Sequence, residues 1–113
     1  KVYFDLFEKR EEAGRDDVYI IRLEQLYPFP ARALIQELSR FPNAELIWCQ
    51  EEPKNMGAWT FVEPNIEWVL GHTSTNAKTV RYAGRPASAS TATGQLSQHI
   101  KEQTALVADA LGL

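Results

Sequence analysis

Few side chains in this sequence have the type and spacing that chemistry needs, and they fall in two stretches. The first is the corner within Glu45–Trp59, where the apolar run Leu46-Ile47-Trp48-Cys49 gives way to Gln50, Glu51 and Glu52, then to Pro53, Lys54, Asn55 and Gly57. Two carboxylates perform acid–base work when they converge on one substrate. Neighbours in an extended chain point to opposite faces, so Glu51 and Glu52 do not converge. They read as an acidic corner at a surface or interface, with one carboxylate available to a neighbouring arginine or backbone group. The second stretch runs from Arg81 to Gly94 and carries Gly84, Arg85, Ser88, Ser90, Thr91 and Thr93. Hydroxyls, open N–H groups and the dipole of a following helix could hold an anion such as a phosphate there, with Arg81, Arg85 and Ser88 as its ligands. The stretch lacks the Gly-Lys-Ser/Thr ending of a P-loop, and a plain capped loop is the alternative.

The remaining reactive groups are sparse. His72 and His99 have no carboxylate or cysteine at ligand spacing and read as surface residues. Cys49 is the single cysteine, placed inside an apolar run with no adjacent cation to lower its pKa, and reads as an inert thiol. One cysteine makes no internal disulfide, which favours a reducing compartment.

The elements that must position these groups follow from periodicity. Val2, Tyr3, Leu6 and Phe7 have helical spacing, and Gly14 is the expected stop. Val18–Leu23 (VYIIRL) is rich in β-formers and predicts a strand. Pro28 and Pro30 force an extended connector, after which Ala31, Leu34, Ile35, Leu38 and Phe41 form one helical stripe ending before Pro42. Leu46–Cys49 predicts a strand covered on both faces. Trp59, Val62, Ile66, Val69 and Leu70 predict a helix that is kinked at Pro64 or starts near it. Residues 71–78 read as a loop and Thr79–Ala83 as a third short strand. The final helix is expected to bury Leu96, Ile100, Val107 and Leu111, with Gly112 at its end.

Helices alternating with strands predict an α/β domain of three layers, with a small, mainly parallel or mixed sheet between helices. The 113 residues suffice for one compact domain, 1–113. A start at Lys1 inside a helix suggests a piece of a longer polypeptide that lacks its first strand, whereas the Gly112 stop has the look of a natural C-terminus. The net charge of −3 gives no electrostatic reason to bind nucleic acid. No apolar run approaches a membrane span, and no leader pattern is visible.

Three long runs carry a family resemblance: Val18 to Pro30 (VYIIRLEQLYPFP), Trp48 to Trp59 (WCQEEPKNMGAW) and Arg81 to Ser90 (RYAGRPASAS). Together they resemble the C-terminal domain of the thiamine-diphosphate-dependent 2-oxoglutarate dehydrogenases, and the likeness extends over essentially the whole chain. A looser pattern is similar to the C-terminal domains of the transketolase-like group. The resemblance implies a noncatalytic domain of an oxidoreductase that decarboxylates 2-oxoglutarate and succinylates a lipoyl group. It also implies that thiamine diphosphate and magnesium are held by other, upstream domains. Expected partners are those upstream domains, a homodimer mate and the dihydrolipoyl succinyltransferase of the complex, in a bacterial cytoplasm or a mitochondrial matrix. In some actinobacterial members the domain helps bind acetyl-coenzyme A through an arginine pair. This chain has Gly84-Arg85 there, so one arginine is matched.

In this reading Glu51, Glu52, Tyr27, Phe29, Trp59 and Phe61, with Trp68, are the interface residues, and Trp48 belongs to the core. The alternative is a free-standing regulatory module that binds a nucleotide or an acyl-coenzyme A through residues 84–94.

Overall fold

The computed structural model describes residues 1–88 and 96–113. Ser90, Thr91, Thr93 and Gly94, named above with the anion loop, lie outside the described residues. The elements are α1 (Val2–Glu12), α2 (Ala31–Leu38), β1 (Leu46–Cys49), α3 (Trp59–Leu70), β2 (Val80–Ala83) and α4 (Leu96–Leu111). β1 and β2 pair in parallel, from Leu46 opposite Val80 to Cys49 opposite Ala83. The result is a small α/β domain, as the alternation predicts.

Strand parity separates two apolar clusters. Leu46 and Trp48 join Val80 and Tyr82 in a cluster built on α2 and α3, around Leu34, Leu38, Trp59, Val62, Ile66, Val69 and Leu70. Cys49 faces the other way, into a cluster built on α1 and α4 around Leu6, Leu106, Val107 and Leu111. The sheet therefore lies between two helical layers.

Local signals explain the helix limits. Gly14 and Gly112 adopt φ of +66° and +74°, the left-handed region that ends helices at little cost for glycine. Pro30 stands just before α2, where its missing N–H costs nothing. α3 begins at Trp59 rather than near Pro64, because Ala58 O accepts from the N–H groups of Phe61 and Val62 at 3.0 and 2.8 Å and opens the helix a turn earlier.

Two expectations are corrected. Val18–Leu23 is not a strand: among the described residues, no backbone–backbone hydrogen bond involves it. Its β-forming composition makes an extended segment, and a strand needs a ladder partner in addition. The stripe of α4 is buried only in its second half. Leu106, Val107 and Leu111 are in the core, whereas Leu96 and Ile100 are exposed, Ile100 at an open cleft between α4 and α1. Among the described residues, no helix is long and apolar enough to cross a membrane.

Candidate functional site

The corner after β1 is built around Gln50. Its backbone N–H donates to Ala83 O at 3.3 Å, extending the parallel pairing by one step. Its side chain, only 4% exposed, turns back under the loop. Oε1 accepts from the Trp48 indole N–H at 2.8 Å, while Nε2 lies 3.2, 3.1 and 2.9 Å from the carbonyls of Glu52, Pro53 and Met56. The amide thus ties together a turn around a buried proline in which Pro53 O also accepts from the Met56 N–H at 2.8 Å and Glu52 O from the Tyr82 hydroxyl at 3.2 Å. Gly57 closes this turn at φ +67°, where a side chain would meet Glu52 Cβ at 3.0 Å.

The segment after β2 is stitched to that corner. Arg85 O accepts from the Lys54 N–H at 3.1 Å and from the Tyr82 hydroxyl at 2.6 Å. Asn55 and Ser88 bond reciprocally: Asn55 Nδ2 donates to Ser88 O at 2.8 Å, and the Ser88 N–H donates to Asn55 Oδ1 at 3.0 Å. At Gly84 a Cβ would stand 2.5 Å from Tyr82 Oη and 2.9 Å from Gln50 O, so the two segments approach closely only because no side chain intervenes.

The expected anion residues are placed as follows. Arg85 turns inward, its side chain 11% exposed, with Nε donating to Glu51 O at 2.7 Å and the guanidinium 3.7 Å from the Glu102 carboxylate of α4. Arg81 donates to Asp109 Oδ1 at 3.0 Å and to Asp109 O at 3.1 Å at the end of the same helix. Glu102 and Asp109 are seven residues apart and share one face of α4, so the two arginines tie this helix to the sheet and the corner. Ser88 is committed to Asn55 through its backbone.

Glu51 and Glu52 diverge. Glu51 Oε1 lies 3.9 Å from the main-chain nitrogen of Lys1, whereas the Glu52 side chain lies against Gly57. His72 stacks on Trp68 at 3.9 Å, with Nδ1 2.8 Å from Trp68 O, and His99 lines an open cleft of about 340 Å³ between α1 and α4. Burial pushes the Cys49 thiol up to about 12, helped by the negative charges of Asp109 and Glu51. Among the described residues, no three of the His, Cys, Asp and Glu side chains form a group that could hold a metal ion.

Of the expected interface aromatics, Tyr27 is 87% exposed and Phe61 42%, and Phe61 makes an edge contact with half-buried Phe29 at 6.2 Å. Trp68 on α3 is 55% exposed. Trp59 belongs elsewhere: it is 6% exposed and packs on Tyr82 at 5.2 Å inside the core. Its position on α3 puts it on the stripe shared with Val62 and Ile66, and that periodicity outweighs its proximity to the corner. For Gln50 the sequence offers one signal, an amide directly after an apolar run, and for Tyr82 none; β1 itself is half-buried along its length rather than covered on both faces.

Taken together, the fold and site define a small α/β domain whose polar corner is a closed, bonded joint. A family model described as 2-oxoglutarate dehydrogenase C-terminal matches residues 1–111, and the chain belongs to this family. Proteins named 2-oxoglutarate dehydrogenase E1 component from Brucella anthropi, Brucella ovis and Brucella canis are each 63% identical over 112 residues. The match covers 99% of this chain and 11% of the length of each relative.

Proposed function

We propose that this chain is the noncatalytic C-terminal domain of a 2-oxoglutarate dehydrogenase E1 enzyme and holds that enzyme's subunit and homodimer together. The observation that carries this reading is a division of labour in the domain. Gln50 and Arg85 at the corner are bonded within the chain, while Tyr27 on the connector before α2 and Phe61 and Trp68 of α3 remain exposed. Exposed aromatic rings contribute large contact area when another protein surface covers them.

The parent enzyme decarboxylates 2-oxoglutarate and passes the succinyl group to a lipoyl arm of the succinyltransferase. Thiamine diphosphate supplies the electron sink for that chemistry. The described residues do not fit this cofactor or its magnesium: the carboxylates diverge, and Arg81 and Arg85 already face Asp109 and Glu102. We therefore assign no step of the reaction to the described residues, and our reading puts the cofactor in the rest of the long enzyme. A bacterial cytoplasm is the compartment that accords with the Brucella relatives.

Removing the domain from the long enzyme tests the reading. The expected result is loss of the dimer and of thermal stability. A truncated enzyme that stays dimeric and active, together with tight binding of acetyl-coenzyme A or AMP by the isolated domain in calorimetry, would establish the regulatory-module alternative instead.

A further inference from the structure

The outward face of α3 exposes no charged side chain. Within Trp59–Leu70 the exposed residues are Thr60, Phe61, Pro64 and Trp68, which helical spacing gathers on the side opposite Val62, Ile66 and Val69 of the core. The other three helices do expose charges: Glu8 and Glu11 on α1, Arg32 on α2, Lys101 and Asp109 on α4. Those faces suit water. A helix that is apolar all round belongs inside a larger body, so α3 has a second surface to meet.

The shape of this face and the charge along its flank say what meets it. Phe61, Pro64 and Trp68 stand at i, i+3 and i+7, a ridge of the kind that packs along another helix. Both rings are held ready for contact: Phe61 meets Phe29 edge-on, and Trp68 is stacked by His72, whose Nδ1 lies 2.8 Å from Trp68 O. Along one flank run the half-buried carboxylates of Glu63 and Glu67, about one helical turn apart. Like charges at that spacing repel. Among the described residues neither side chain has a hydrogen bond or an ion pair, and α3 contains no lysine or arginine. A surface that covers the ridge draws these carboxylates further from water and must bring a cation to them. A second copy of α3 has none to bring.

Resting on the reading of the chain as part of a longer enzyme, we propose that the outer face of α3 packs against a helix of that enzyme outside these 113 residues. The partner helix is apolar along its centre and carries lysine or arginine on the flank that faces Glu63 and Glu67. The chain spans 11% of the length of the Brucella relatives, which leaves most of the enzyme to supply that helix.

The test uses the purified long enzyme with the photo-reactive residue p-benzoylphenylalanine in place of Trp68. Irradiation is expected to join this position to one helical peptide outside the 113 residues, with a lysine or arginine within about two turns of the joined residue. Adding Glu63→Lys and Glu67→Lys should lower the yield of that product at least about fivefold, and changing the captured cation to glutamate as well should restore it. A product joined to α3 of a second copy would overturn the proposal, as would a yield that charge reversal leaves unchanged. So would the absence of any product together with full hydroxyl-radical oxidation of Trp68 in the unmodified enzyme. If the dimer is still lost when the domain is removed, those outcomes sink this contact alone and leave the packing role standing. The expected product in an enzyme that stays dimeric and active without the domain would uphold the contact and remove the role.

Discussion

Gln50 shares its two amide hydrogens among three carbonyls and accepts from the Trp48 indole, so one amide fixes both the end of β1 and the turn that follows it. Replacing it by Leu takes their Gln50 partner from the Met56 carbonyl and the Trp48 indole N–H, and denaturant unfolding of Gln50→Leu is expected to show a loss of about 2–4 kcal/mol. Gln50→Glu should be at least as damaging, since a carboxylate facing carbonyl oxygens has nothing to donate; a glutamate variant as stable as the parent would contradict this role. Gly84→Ala is expected to cost more than about 2 kcal/mol in the same measurement. Adding Tyr82→Phe should not restore the loss, because Gln50 O still stands 2.9 Å from the new methyl. Cys49 gives a pH test. With its folded pKa raised to about 12, the thiol contributes stability that is fully present below its unfolded value near 8.5 and is lost as pH rises through the folded value. Alkylation at pH 8 should accordingly be at least about 10-fold slower in the native chain than in the denatured one.

At the scale of elements, α1 and α4 are joined by a polar contact as well as by Leu6. Asp5 is bonded by the Lys1 ammonium and by the Gln103 amide, each at 2.9 Å; these hold its carboxyl below the usual carboxylate range, with burial acting in the opposite direction. A depressed folded pKa contributes stability above the unfolded value near 3.9, and that contribution is lost as pH falls through the folded value. Asp5→Asn should therefore unfold more easily than the parent at pH 7, and the two denaturation midpoints should converge toward pH 2. The helices themselves were largely legible, because Leu34 and Leu38 of α2 and Val62, Ile66, Val69 and Leu70 of α3 repeat at helical spacing and are buried in that order. The periodicity of Leu96 and Ile100 was equally clear. Burial depends on a closely packed partner surface, however, and beside Ile100 the two helices leave an open cleft. Val18–Leu23 shows the same limit for strands: composition sets an extended backbone, but pairing is decided by what lies alongside. The Gln50 hub was not legible, since its bonds exist only once the turn from Glu52 to Met56 has its three-dimensional course.

On the scale of the whole molecule, a parallel sheet separates two helical layers, and the polar residues that first suggested chemistry serve to join them. Arg81 and Arg85 read as ligands for an anion because the sequence shows a cation near a helix start without showing Asp109 and Glu102 opposite. Surface aromatics were legible as a group, yet only burial distinguished Trp59, which supports the core, from Tyr27, Phe61 and Trp68, which face outward. The account therefore predicts that the α3 side holds the domain in the long enzyme. The direct measurement is sedimentation and thermal melting of the long enzyme carrying Tyr27→Ser, Phe61→Ser and Trp68→Ser together. The dimer should dissociate at higher protein concentration and the melting temperature should fall measurably, by about a degree for a loss of 1–3 kcal/mol in an enzyme of this size. Sedimentation and melting identical to those of the unmodified enzyme would contradict a structural role for this domain.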